Sequence, residues 1–129
     1  MRTIKNYSGW IAEEIVKTYL LETGLLDISV PSDRKFDFVA ISKSDFSKVI
    51  AIEVKASKYS KSEIIREYRT LRESFAKIGF PVIMFYINYL DKTGLIEIIN
   101  KTLTDTLILL SRDNLINEIE KITAPNNKV

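Results

Sequence analysis

Two apolar runs joined by a short polar stretch constrain the fold more than any other part of this chain. Residues 36–42 (FDFVAIS) and 48–56 (KVIAIEVKA) are rich in Val, Ile and Phe. The stretch between them, SKSDFSK, has the composition of a turn, so the pair reads as an antiparallel hairpin. Side chains alternate across a strand. Asp37, Val39 and Ile41 therefore share one face of the first strand, and Val49, Ala51, Glu53 and Lys55 share one face of the second, opposite Ile50, Ile52 and Val54. Both faces are mostly apolar, so neither is fully solvated, and Asp37, Glu53 and Lys55 project from strands that otherwise read as core. With the turn centred on Asp45, opposed residues have numbers summing to 90: Ile41 with Val49, Val39 with Ala51, Asp37 with Glu53. Directly opposed side chains bring their Cβ atoms to about 4.5–5.5 Å. Two carboxylates then lie side by side, with a lysine on the same face.

Like charges so placed repel, and burial makes the repulsion worse. Three remedies exist: one carboxyl keeps a proton, Lys55 neutralises the pair, or a divalent cation sits between the oxygens. A Mg²⁺ ion takes oxygen ligands at about 2.0–2.1 Å and keeps several waters, which two carboxylates at one end of a sheet can supply. A buried Asp–Lys–Glu ion network without chemistry is the alternative. Composition narrows the choice. The 129 residues contain no cysteine and no histidine, which excludes the usual zinc sites, a Ser-His-Asp triad and a thiolate nucleophile. Catalysis on such a chain rests on carboxylates, lysine, tyrosine, hydroxyls or a hard metal ion.

The remaining elements follow from periodicity. Residues 8–23 have helical period, and Gly24 stops them. At 100° per residue from Ile11 the apolar stripe reaches Leu20 at about 180°, Glu13 falls at about 200° and Glu14 at about 300°. Glu13 thus borders the buried stripe, and Glu14 is expected in water. LDISV (26–30) reads as a short strand closed by Pro31. A helix is expected from Ser60 to about Lys77, through Ile64, Tyr68, Leu71, Phe75 and Ile78, with Ser62 as N-cap and Gly79 as stop. PVIMFYINY (81–89) is apolar enough for a strand buried on both faces. LIEIIN (95–100) and TDTLILL (104–110) read as further strands, 113–122 as a last helix, and 124–129 as a tail that frays. The order is αβββαβ followed by ββα, in one α/β domain spanning 1–129, with a core at about 8–90 and an addition at about 94–122.

The net charge of +2 is unevenly spread. Residues 34–77 carry eleven basic against six acidic side chains, a local excess of +5. Lys55, Lys58, Lys61, Arg66, Arg69 and Arg72 lie there, interleaved with Tyr59 and Tyr68. Such a stripe suggests contact with a polyanion; a solvated helix face laced with Glu63, Glu67 and Glu73 is the alternative. Met1 to Leu20 mixes charges among its apolar residues and does not read as a signal peptide. The longest apolar runs fall short of the roughly 20 residues of a spanning helix. A soluble, cytoplasmic protein with no membrane partner is expected.

Asp37, then sixteen residues on Glu53-Val54-Lys55, within αβββαβ, resembles the PD-(D/E)XK nuclease superfamily. Residues 9–58 resemble the archaeal Holliday junction resolvases more closely: GWIAEEIVKTYLLETG is similar to their glutamate-bearing first helix, with Glu13 four residues after Gly9, and EVKASK is similar to their E-V-K segment. Phe36 stands where the motif has proline, and the loop from Gly24 to Asp37 is short.

The resemblance implies a restriction-endonuclease-like core, a mixed central sheet flanked by helices, and a metal-dependent endonuclease acting on duplex or branched DNA as a homodimer. Asp37, Glu53 and the Val54 carbonyl would bind Mg²⁺ or Mn²⁺, with Glu13 holding a metal-bound water and Lys55 orienting the attacking water. Lys58, Lys61, Arg66, Arg69 and Arg72 would contact the DNA backbone. The alternatives are a catalytically silent nucleic-acid-binding or assembly protein on the same fold, and an interaction domain in which the acids and lysine are structural.

Overall fold

A computed structural model describes residues 7–33 and 35–124. The chain forms α1 (Tyr7–Glu22), β1 (Leu26–Ser29), β2 (Phe38–Ser42), β3 (Val49–Ala56), α2 (Lys61–Glu67), α3 (Arg69–Ala76), β4 (Val82–Asn88), β5 (Thr93–Ile99), β6 (Ile108–Leu109) and α4 (Arg112–Thr123). The six strands make one open mixed sheet in sequence order. Only β3 and β4 run parallel. A parallel pair needs a crossover rather than a tight turn, and α2 and α3 supply it.

The alternation of each strand divides its residues between two layers. On one side Ala12, Val16 and Leu20 of α1 and Leu115 and Ile119 of α4 pack on Phe38, Ala40, Ile50, Ile52, Ile83, Phe85 and Ile87. On the other, Ile64 of α2 and Phe75 of α3 pack on Ala51, Val82, Met84 and Tyr86. Strand β4 serves both layers, and Val82 through Ile87 are all buried, as its unbroken apolar run requires. Each such side chain contributes roughly 1.5–3 kcal/mol by leaving water. The Glu13 and Glu14 side chains fall as the helical wheel places them, half-buried and exposed.

Local signals explain the ends of elements. Gly24 adopts φ +69°, and its N–H bonds the Leu21 carbonyl at 3.2 Å to close α1. In the β2–β3 turn the Asp45 carboxylate accepts from the Ser47 N–H at 3.0 Å and hydroxyl at 2.6 Å, and Ser42 N–H bonds the Lys48 carbonyl at 3.0 Å. That turn fixes the register at Phe38↔Ile52, Val39↔Ala51, Ala40↔Ile50 and Ile41↔Val49, each pair summing to 90.

Three features depart from the periodicity. The helix expected over 60–77 is two helices, interrupted at Tyr68, whose φ −101° and ψ 19° leave helical geometry. Its N-cap is Ser60 rather than Ser62, because Glu63 completes a capping box with Ser60. The strand expected over 104–110 is reduced to Ile108–Leu109. Asp105 stands at φ +54° and turns its carboxylate onto Arg72 instead of continuing the ladder. Of the tail expected to fray, 125–129 lies outside the described residues. Among the described residues no helix is long and apolar enough to cross a membrane.

Candidate functional site

The site begins where the β2–β3 ladder stops. Its last pair is Phe38↔Ile52, and the next residues along are Asp37 and Glu53. On β3 the odd-numbered residues bond to β4: Ala51 N–H to the Pro81 carbonyl at 3.0 Å and Ser57 N–H to the Ile87 carbonyl at 2.8 Å. Val54, of opposite parity, turns its main-chain groups towards β2. There Asp37 Oδ2 accepts the Val54 N–H at 2.8 Å, taking the place of a ladder carbonyl. A side chain thus ties the two strands just past their last ladder pair, and its carboxylate is fixed there.

Glu53 and Lys55 point to the α2–α3 side of the sheet, the face they share with Ala51. The Glu53 side chain is only 12% exposed, and Lys55 Nζ lies 3.3 Å from its Oε2. Burial first, then the charge and hydrogen bond of the adjacent Asp37 carboxyl, push the Glu53 carboxyl up to about 7 from an ordinary 4.5; Lys55 opposes the shift. The two acids therefore meet as the register requires, and near neutrality they share a proton or need a further positive charge.

Asp37, Glu53 and Lys55 are brought together. Glu13 is half-buried on α1, the helix that packs on the sheet through Ala12, Val16 and Leu20. The donors that do converge are hard oxygens: two carboxylates, one of them kept basic, beside a main-chain segment aimed into the same opening. That set fits a cation such as Mg²⁺ or Mn²⁺ in chemistry.

Of the basic residues expected at a polyanion surface, Lys58, Lys61, Arg66 and Arg69 are exposed, with Arg69 Nε 2.9 Å from Glu73. Arg72 is not among them. It is 0% exposed and closes on Glu97 through Nε at 2.9 Å and Nη2 at 2.5 Å, on Asp105, and on the Ile65 carbonyl at 3.1 Å. Glu97 also accepts the Tyr86 hydroxyl at 2.9 Å. Glu97 raises the Arg72 pKa further, while burial and the Glu97 charge raise that of Tyr86, so this is a fixed ion network under α3. Sequence reasoning missed Glu97, although an acid inside LIEIIN is the same kind of signal as Glu53 inside IAIEVKA.

A string of aromatic rings leads away from Lys55. Burial pushes the Tyr68 hydroxyl up, opposed by nearby Ser57 and Lys55; its ring lies 6.5 Å from that of Tyr59 and 5.5 Å from that of Tyr86. Comparison with protein-family models, with curated proteins and with solved structures yields no match to this chain.

Proposed function

We propose that the chain is a metal-dependent endonuclease that hydrolyses DNA phosphodiester bonds on a PD-(D/E)XK-type core. The observation that carries this reading is the meeting of Asp37 and Glu53 at the open end of β2–β3, with Lys55 beside them. The succession α1, β1, β2, β3, α2–α3, β4, with β3 parallel to β4, supports the core.

Asp37, Glu53 and the Val54 carbonyl would hold Mg²⁺ or Mn²⁺, which supplies charge for a phosphoryl oxygen and lowers the pKa of water. Asp37 is held by the Val54 N–H. Glu53, kept protonated by its surroundings up to about pH 7, gives up that proton when a cation replaces it. Lys55 orients water at the scissile phosphate and offsets charge that develops there. Lys58, Lys61, Arg66 and Arg69 approach the DNA backbone without reading sequence. Paired cuts in a duplex or junction would use two chains.

A second reading, a silent nucleic-acid-binding or assembly protein, is favoured by the 3.3 Å contact of Lys55 with Glu53, which can neutralise the acid without a cation. The deciding experiment is incubation with Mg²⁺ or Mn²⁺ on linear duplex, single strand, flap and four-way junction, with Asp37→Asn as control. Metal-dependent product from the wild type alone supports the nuclease; product on the junction alone assigns it to junction resolution. No product on any substrate, with binding retained, supports the second reading.

A further inference from the structure

We infer that the pocket at the ends of β3 and β4 receives one unpaired nucleobase, so that the preferred substrate is DNA with a base displaced next to the scissile phosphate. This inference rests on the nuclease reading and specifies its substrate.

The pocket opens at the end of β3 and β4. Buried Tyr86 and Ile64 line it together with exposed Lys58, Tyr59 and Thr93 and half-buried Asn88. Its volume of about 180 Å³ is small beside the roughly 300–1,000 Å³ of sites for drug-sized molecules. It has room for one flat heterocycle and not for a base pair. The walls suit that occupant. Tyr59 keeps 45% of its surface in water, while its ring meets Tyr68 edge-on at 6.5 Å. Tyr68 in turn lies 5.5 Å from Tyr86. The Tyr59 backbone is tethered as well, since its N–H bonds Ser57 Oγ at 3.1 Å. An aromatic face held this way and left exposed stacks on a base at little ordering cost, whatever the base. The Asn88 amide, whose oxygen accepts the Leu90 N–H, keeps its NH2 to donate to a base edge; Thr93 Oγ1, whose proton goes to Asp91, can accept from one, and Lys58 offers a charge for the phosphate that follows.

Distance links the pocket to the acids. Ser57 lies two residues beyond Lys55, just past the end of β3 and still bonded to the Ile87 carbonyl, roughly 6.6 Å on at the strand rise, about the span of one extended nucleotide. A strand with its phosphate at Asp37, Glu53 and Lys55 therefore carries the neighbouring base to the pocket mouth. In a continuous duplex that base is stacked and paired and does not reach it.

The test uses the full-length chain carrying Asp37→Asn, which binds without cutting, and duplexes that differ only in one unpaired 2-aminopurine. Affinity and 2-aminopurine fluorescence are read together. Tighter binding to the unpaired-base duplex, by about tenfold, with a fluorescence change on binding is expected. Tyr59→Ala in that background removes the preference and leaves continuous-duplex affinity unchanged, and Tyr59→Phe retains it. Equal affinity for both duplexes, or a Tyr59→Ala loss common to both, overturns the pocket while wild-type metal-dependent cleavage keeps the nuclease reading. A Tyr59-dependent preference without wild-type cleavage upholds the pocket and overturns the chemistry. Failure to bind either duplex overturns both.

Discussion

Asp37 and Glu53 meet across the end of an antiparallel ladder, one carboxylate held by a main-chain N–H at 2.8 Å and the other raised to about 7. Glu53 binds its proton more tightly folded than unfolded, where 4.5 is the ordinary value. Stability from this group is therefore full below about pH 4.5 and falls as pH rises to about 7. A gap of that size corresponds to at most about 3 kcal/mol, less whatever Lys55 and local water return. Glu53→Gln should match the wild type at pH 4.5 and exceed it at pH 8 by about 1–3 kcal/mol. Thermal melts with chelator at the two pH values check this; equal melting at pH 8 would contradict the pKa.

The same proton makes cation binding measurable without a nuclease assay. A divalent ion at Asp37 and Glu53 must displace it. Calorimetric titration of Mn²⁺ into the full chain at pH 6, in buffers of different ionisation enthalpy, should show release of up to about one proton per ion. At pH 8 the release should be much smaller. Glu53→Gln should lose the pH dependence along with most of the affinity. Binding with no proton release at pH 6 would place the ion elsewhere.

Asp37 has a structural duty separate from the proposed chemistry, and two substitutions separate them. Asp37→Ala leaves the Val54 N–H without its acceptor at a part-buried position, a loss of about 1–3 kcal/mol. Asp37→Asn keeps an oxygen where Oδ2 lies and should melt within about 1 kcal/mol of the wild type. Both should abolish metal-dependent cleavage and retain DNA binding. A variant of either kind that cut as fast as the wild type would remove Asp37 from the site.

What the sequence disclosed and what it concealed divide along a physical line. The facing of Asp37 and Glu53 was legible because strand parity and one turn determine it, with Asp45 closing the turn through Ser47. The bond from Val54 to Asp37 was not, since where a ladder ends depends on how β2 leaves β3 over the layers beneath. The break at Tyr68 was hidden because apolar spacing runs through it unchanged. Arg72 misled for a related reason. Counted from Ile64 at 100° per residue it lies at about 80°, at the margin of the buried stripe, whereas Arg66 lies at about 200°. A long side chain at a margin goes inward only if a partner waits there. That partner, Glu97, is 25 residues away.

Arg72 and its exposed neighbours should consequently respond in opposite ways to the same substitution. Arg72→Ala strands the Glu97 carboxylate, 1% exposed on its side chain, and removing one member of a buried pair costs about 3–5 kcal/mol. Adding Glu97→Gln to Arg72→Met should restore part of that loss, because no unpaired charge remains. Arg66→Ala and Arg69→Ala should change stability by no more than about 0.5 kcal/mol, their side chains being in water. On DNA the order reverses. Each of the two exposed substitutions should reduce the slope of log affinity against log salt by about 1, uniformly across sequences. Denaturant melts and salt titrations on one set of variants decide both halves. A folded Arg72→Ala of wild-type stability would contradict the buried network, and unchanged salt slopes for Arg66→Ala and Arg69→Ala would take the α2–α3 surface out of the DNA interface.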